Sequence, residues 1–436
     1  MTNHPASSPS ISTRDILILG FAFFATYFGA GNLIFPPQLG LASGYDIAQG
    51  LIGLTLSGIF LPIFTLIIIG LNGDVHDITN HVGAHTYNIL LAALMIVCTF
   101  VSIPRTCATA IQLGIQGNIP AAPFIPLVII YFILCYFFAC DKGNVMDRMG
   151  KYLTPLLALI LVIISVMGLV KPLGTPIAPS VENAFVNAFL GGYNTGDVLV
   201  SFIMAAVFLS SIKAKGYTTI EQRNKCLMYC GFIAFLLLLL IYGSLLYMGA
   251  CVSGDYPTDI GRAELLVAIV KRVGSWVMAP MGIAVVLACM TTAIGQVAAV
   301  SDFVSTATGK ISYKKVAIIC SILSAFTALL GVDGIVTYIG WIYSISYPPC
   351  LALLVLGCLT KIIPNDGAYK GSVYLVTLYA LLEALPGLSS LDFAKSIVSM
   401  TPLSSYGFGW ITPFIVGFII GSILYKVAGL TTVSAE

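Results

Sequence analysis

Gly29-Ala30-Gly31-Asn32-Leu33-Ile34-Phe35-Pro36-Pro37 lies in the middle of an apolar segment that runs from about Asp15 to Ala42. At about 1.5 Å rise per residue, a straight helix of that length measures roughly 40 Å, against a hydrocarbon layer about 30 Å thick. The segment is too long for one simple span. Two glycines flank a single alanine and two prolines follow, so weak helix formers stand beside positions that cannot donate a backbone hydrogen bond. The combination predicts a broken helix. Irregular backbone at membrane depth is tolerated only where it is buried in protein or lines a cavity, because unsatisfied amides in lipid are costly. The break is therefore expected to face a site. A proline kink that only shapes a packing surface is the alternative, since Gly and Pro are frequent in transmembrane helices. Against it stands the residue order: glycines, an Asn able to donate and accept, then a helix start with Pro in its first turn. That order leaves half-helix N–H groups free to attract a carboxylate, while carbonyls of the preceding half suit a bare cation.

The rest of the chain agrees with a membrane setting. Of 436 residues, 58% are hydrophobic and only 9% charged, where soluble domains carry about 25% charged residues. A formal charge of +2 without a basic, aromatic-interleaved run excludes nucleic acid as a main partner. The 11 cysteines are scattered and form no C-x-x-C pair, which reads as small buried hydrophobes. Met1 to Thr13 is a polar tail, expected in the cytoplasm like residues 429–436. Ile16 to Phe28 has the length of a signal-peptide core but continues into the break, so a retained helix is expected. Thr2 stands where an acylated glycine would be needed.

Apolar segments recur along the chain and predict twelve helices, at about 15–42, 46–71, 87–114, 121–140, 152–170, 183–212, 226–251, 275–307, 314–330, 335–360, 372–388 and 406–425. With the N-terminus inside, fourteen basic residues fall in cytoplasmic segments: Arg14, Lys142, Arg148, Lys151, Lys213, Lys215, Arg223, Lys225, Lys310, Lys314, Lys315, Lys361, Lys370 and Lys426. Five fall outside (Lys171, Arg262, Lys271, Arg272, Lys395), and Arg105 lies within a span. The bias supports an even number of spans and cytoplasmic termini. The inside loop Asn72 to Tyr87 has no Lys or Arg and is the weakest part of the map. Cys251 to Arg272 is polar, then briefly apolar, and predicts an external loop with a short capping or re-entrant helix.

Arg105, after Pro104 in helix three, is expensive in hydrocarbon and is a functional candidate; snorkelling or pairing with a carbonyl or acid is the structural alternative. Asp197 and Glu383 read as interfacial or structural groups near the external side. His76, His81 and His85 with Asp74 and Asp77 superficially suggest a metal site, but without a zinc signature they read as a solvated loop. No P-loop, nucleophile elbow or paired-acid motif occurs in the cytoplasmic loops, which are all short, so neither ATP drive nor hydrolysis has visible machinery, and no enzyme is expected. Thr291 and Thr292 offer two hydroxyls in helix eight; taken alone they read as ordinary back-bonding to a carbonyl one turn earlier.

Gly29 to Gly40, GAGNLIFPPQLG, closely resembles the first-helix signature of the bacterial branched-chain amino acid:sodium symporters, distant relatives of transporters with the leucine-transporter fold. Gly192-Tyr193-Asn194-Thr195 and Thr291-Thr292-Ala293-Ile294-Gly295 are further matches, and the resemblance covers most of the chain. It implies an all-α integral membrane protein of about twelve helices. Two inverted five-helix repeats, about 14–171 and 183–360, would carry broken helices one and six, with two added helices at about 372–425. The transmembrane domain is expected over 14–428. A second break is implied near Phe202-Ile203-Met204-Ala205, where Met204-Ala205 departs from the glycine of the family pattern.

The resemblance also implies a function: uptake of leucine, isoleucine and valine across the cytoplasmic inner membrane, coupled to Na+ by alternating access. The substrate carboxylate would meet the N–H groups of Ala30 and Gly31, beside Asn32. Its ammonium would meet unwound carbonyls near Tyr27 and from Phe202 to Ala205, including Ile203, with Phe202 and Met204 lining an apolar pocket. Na+ would lie between helices one and eight, on carbonyls of Ala25, Phe28 and Ala288 and hydroxyls of Thr291 and Thr292. The partners are thus branched-chain amino acids, Na+ and the lipid bilayer, with no protein partner implied. A proton-coupled carrier of another small apolar amino acid stays open, as does a substrate-gated channel, although no filter loop is visible.

Overall fold

The computed structural model describes residues 11–140, 154–171, 173–385 and 389–430. The expectations for Lys142, Arg148 and Lys151, and for most of both tails, lie outside the described residues. All regular structure among the described residues is helical. Helix one is two pieces, α1 (Thr13–Tyr27) and α2 (Ala30–Ser43), bent by 64° at the break. α3 (Ile47–Leu71) follows, then a short α4 (Val75–Asn80), α5 (Thr86–Ile115), α6 (Phe124–Ala139) and α7 (Thr154–Val170). Helix six is again two pieces, α8 (Ala184–Tyr193) and α9 (Asp197–Ala214). Beyond it come α10 (Ile220–Cys251), the short α11 (Arg262–Val273), α12 (Ser275–Thr308), α13 (Tyr313–Ala328) and α14 (Gly331–Leu359). α15 (Asp366–Ala384), a short α16 (Asp392–Met400) and α17 (Ile411–Val427) complete the chain.

The apolar segments read from the sequence map onto these helices in order, with interrupted helices at corresponding places in the two repeats. α11 is the short helix expected between helices seven and eight. α15 and α17 pack against each other along a small-residue seam: a Cβ on Gly367 or Gly371 would run into the backbone of Gly421 or Gly417. Close backbone approach of this kind substitutes for hydrophobic drive inside a bilayer.

Two sets of contacts define the ends of the bundle. At one end Asp15 meets Lys215 at 4.0 Å, Arg223 donates to the Gly70 carbonyl at 2.8 Å, and Asn72 donates to the Gly357 carbonyl at 3.0 Å. His81 pairs with Asp366 there at 2.8 Å. The loop after α3, without a Lys or Arg of its own, therefore lies with Lys- and Arg-bearing loops. At the opposite end Tyr45 N–H donates to Ile177 at 2.9 Å, Gln38 donates to Thr258 at 2.8 Å, and Asn118 donates to Met278 at 3.1 Å.

Two details of the breaks differ from the sequence reading. The prolines do not occupy the first turn of α2, because that helix already starts at Ala30. They lie further in, where lacking N–H groups they leave the Asn32 and Leu33 carbonyls without their usual amide partners. The second interruption falls at Asn194–Gly196, not at Phe202–Ala205, which are helical and buried within α9. Gly196 supplies the reason: its φ of +87° is left-handed, a conformation glycine adopts without penalty. The Met204-Ala205 departure from a glycine pattern thus marks a continuous helix.

Candidate substrate and ion site

α1 ends at Tyr27, and Phe28 and Gly29 are extended. The Gly29 N–H turns to Asn32 Oδ1 at 3.2 Å, so it does not continue the helical ladder back to Ala25. α2 then starts with its first N–H groups, those of Ala30 and Gly31, facing the break. Opposite lies the second interruption, with Asp197 in the first turn of α9.

Three side chains join the two breaks. Asn32 Nδ2 donates to Asp197 Oδ2 at 2.5 Å and also to the Tyr242 hydroxyl in α10. Tyr27 OH shares a hydrogen bond with Ser201 Oγ at 2.9 Å and donates to the Pro62 carbonyl at 3.1 Å. Arg105 reaches from α5, donating through Nη1 to the Asn194 carbonyl and through Nη2 to the Thr195 carbonyl, each at 2.8 Å. Those carbonyls are the ones the helix-six interruption releases. The Arg105 turn is itself set between two widened π-turns, Cys98–Ser102 and Ala110–Ile115. The first precedes Pro104, whose missing N–H disturbs the ladder.

A Cβ on Gly31 would stand 3.1 Å from Arg105 Nη2 and 3.2 Å from Thr195 Cα. Glycine is what lets the guanidinium and the second break close on α2. Arg105 and Asp197 are each 3% exposed, so Asp197 does not reach the external surface as the sequence suggested.

On the other side of the first break, Thr292 Oγ1 lies 3.3 Å from the Phe28 carbonyl and 3.1 Å from the Ala288 carbonyl. Thr291 Oγ1 bonds the same Ala288 carbonyl at 2.9 Å. Phe28, Ala288, Thr291 and Thr292 are therefore brought together, and Ala25 lies buried one turn before Phe28. One turn beyond Thr292, Gln296 is 1% exposed with neither amide atom partnered. Of the residues expected to take the ammonium, Phe202, Met204 and Ala205 stay in regular helix. Ile203 lines a cavity of about 160 Å³ with Asn88, Ala299 and Asp302.

Asp74, His76 and Asp77 cluster at the surface, but the two carboxylates are engaged in capping α4, each accepting from the other's N–H at 3.0–3.1 Å. Glu383 is part-buried in the last turn of α15, away from both breaks. Sequence reasoning missed Tyr242, Ser201 and Pro62 as members of the site. The signal for Tyr242 is a lone hydroxyl after Leu236-Leu237-Leu238-Leu239-Leu240-Ile241. Ser201 follows Asp197 by one turn. The Pro62 role belongs to a backbone carbonyl and leaves no trace in residue type.

Two interrupted helices facing each other across a buried polar core, in a bundle of apolar helices, define the class: a multi-pass membrane carrier of the leucine-transporter-type fold. Solved structures agree over nearly the whole chain. A substrate-bound Na+-coupled sialic acid symporter matches with a TM-score of 0.60 at 14% identity, over 94% of this chain and 90% of that one. A nucleobase-cation-symport-1 family transporter in a closed conformation matches at 0.66 and 12% identity, over 99% and 98%. The chain belongs to the branched-chain amino acid transport protein family, whose model matches residues 12–428. Branched-chain amino acid permease BraB of Bacillus subtilis is 30% identical over 434 residues, covering 95% of this chain and 96% of the relative. Permease BrnQ of Escherichia coli K12 is 27% identical over 439 residues, covering 98% and 99%. The family is one of transport proteins, not enzymes.

Proposed function

We propose that this protein imports leucine, isoleucine and valine across the cytoplasmic inner membrane, driven by Na+ through alternating access, with both termini in the cytoplasm. The observation that carries the coupling is the approach of Thr292 Oγ1 to the Phe28 carbonyl at 3.3 Å. Back-bonding within α12 accounts for the threonine contacts to Ala288, but not for a hydroxyl of one repeat reaching the broken end of α1. Carbonyls of Ala25, Phe28 and Ala288 with the two hydroxyls make a neutral all-oxygen set. Hard cations prefer oxygen, and the absence of carboxylates from the set favours a monovalent ion over a divalent one. Beside it, the N–H groups of Ala30 and Gly31 take the substrate carboxylate at the positive end of α2.

Proton coupling is favoured by a different observation, the carboxylate of Asp197 buried at the site. Uptake of labelled leucine into proteoliposomes, with sodium and proton gradients imposed separately and other amino acids as competitors, tests both. Accumulation on a sodium gradient alone is expected. Accumulation on a proton gradient in sodium-free buffer would reject the ion assignment, and failure of isoleucine and valine to compete would reject the substrate.

A further inference from the structure

The buried site contains one guanidinium and one carboxyl group that do not touch. Arg105 spends Nη1 and Nη2 on the carbonyls of Asn194 and Thr195, both at 2.8 Å, and its Nε is buried without a partner. Asp197 accepts from the neutral amide of Asn32 at 2.5 Å, and no ion pair within 4.0 Å links it to Arg105. Burying isolated charges is costly, and direct contact is the arrangement that offsets the cost most simply. Here they are kept apart on the first turn of α2: a Cβ at Gly31 would stand 3.1 Å from Arg105 Nη2, while the next residue, Asn32, holds Asp197.

An ionised Asp197, set apart from the guanidinium, would complement a zwitterion, whose ammonium is the group that favours ionisation there. The guanidinium lies where the N–H groups of Ala30 and Gly31 already favour negative charge. The carboxylate lies a residue further on, met by an amide NH2 donor, the kind of partner an ammonium would replace. The carbonyls from Phe202 to Ala205, which the sequence offered for the ammonium, are tied up in helix α9.

We propose that Asp197 is the residue that binds the substrate ammonium, exchanging its Asn32 partner for it, and that Arg105 supplements the α2 N-terminus at the carboxylate. Substrate selection then requires both charges of a free α-amino acid. This assignment rests on the amino-acid part of the proposed function, is compatible with Na+ coupling, and leaves Asp197 no part in carrying a proton.

The test uses the purified full-length protein in detergent and three ligands: leucine, its keto acid, which lacks the ammonium, and isopentylamine, which lacks the carboxylate. In the parent, leucine is expected to bind roughly tenfold or more tightly than either analogue, the scale of one charge-assisted hydrogen bond. In Asp197→Asn, leucine should weaken by about that factor while the keto acid keeps its parental affinity. In Arg105→Gln, the keto acid should weaken and isopentylamine should not. Equal weakening of leucine and keto acid in Asp197→Asn would overturn the proposal, because a purely structural role affects both alike. If that variant does not purify as a folded protein, Asp197→Glu decides. It keeps the charge but moves it, and selective loss of leucine supports the assignment whereas equal loss rejects it. Failure of the parent to bind leucine at any sodium concentration would instead reject the substrate reading.

Discussion

Asn32 in α2 and Asp197 in α9 are joined by a 2.5 Å hydrogen bond between side chains 165 residues apart in sequence. Each belongs to the first turn after a helix break, so the bond ties the two half-helix N-termini together. A hydrogen bond to an ionised group contributes about 1.5–3 kcal/mol, and leaving such a group buried without a donor costs at least as much. Asn32→Ala is therefore expected to lower stability by roughly 2 kcal/mol and to abolish leucine uptake. Asn32→Asp should be worse, since it sets two carboxylates against each other. Thermal unfolding in detergent and vesicle uptake measure both effects; an Asn32→Ala protein with parental stability and uptake would show that the breaks are held by other contacts.

Gly31 gives a graded series. An added Cβ meets the Thr195 backbone at 3.2 Å as well as the guanidinium at 3.1 Å, and a backbone neighbour does not swing aside. Gly31→Ala should lower transport and Gly31→Leu should eliminate it, with both proteins still inserting. Uptake by Gly31→Leu at parental affinity would place the substrate elsewhere.

The first break was legible because its signal is covalent: Gly29 and Gly31 free the backbone from helical dihedrals, and Pro36 and Pro37 remove N–H donors, wherever they stand. The second was mislocated because its determinant, Gly196, is one glycine in a glycine-rich stretch, and only its left-handed φ distinguishes it. Arg105 could be singled out from its cost in hydrocarbon, whereas its partners could not. They are backbone carbonyls of Asn194 and Thr195, freed by a break whose position was misjudged. Asp197 read as interfacial because a position near a helix start usually is; its burial depends on α10 and α14 closing over it, and pairwise packing has no short-range sequence signature. The twelve apolar segments, by contrast, follow from hydropathy alone.

The end-to-end arrangement predicts topology. Lys215 shares an end of the bundle with Asp15, and Ile177, near Lys171, shares the other with Tyr45. Single cysteines at positions 215 and 314 should react only with reagents that reach the cytoplasm, and those at 171 and 395 only from outside. Labelling of 215 and 171 from the same side would break the map.

Thr292 separates ion binding from packing. Thr→Ser keeps the hydroxyl and removes a methyl, while Thr→Val keeps the shape and removes the ligand. If the 3.3 Å approach to Phe28 marks an oxygen cage, the two substitutions must diverge, because a hard cation held by about five oxygens has no substitute for one it loses. Thr292→Ser is expected to transport with a modest shift in sodium dependence. Thr292→Val should raise the half-saturating sodium concentration about tenfold or more, the scale of one lost charge-assisted contact, or stop uptake altogether. Thr291 should behave in the same way through its bond to Ala288. Packing alone predicts the opposite order, since Val fills the space of Thr and Ser leaves a gap. Parental sodium dependence in both variants would assign the two hydroxyls to helix packing and remove them from the ion site.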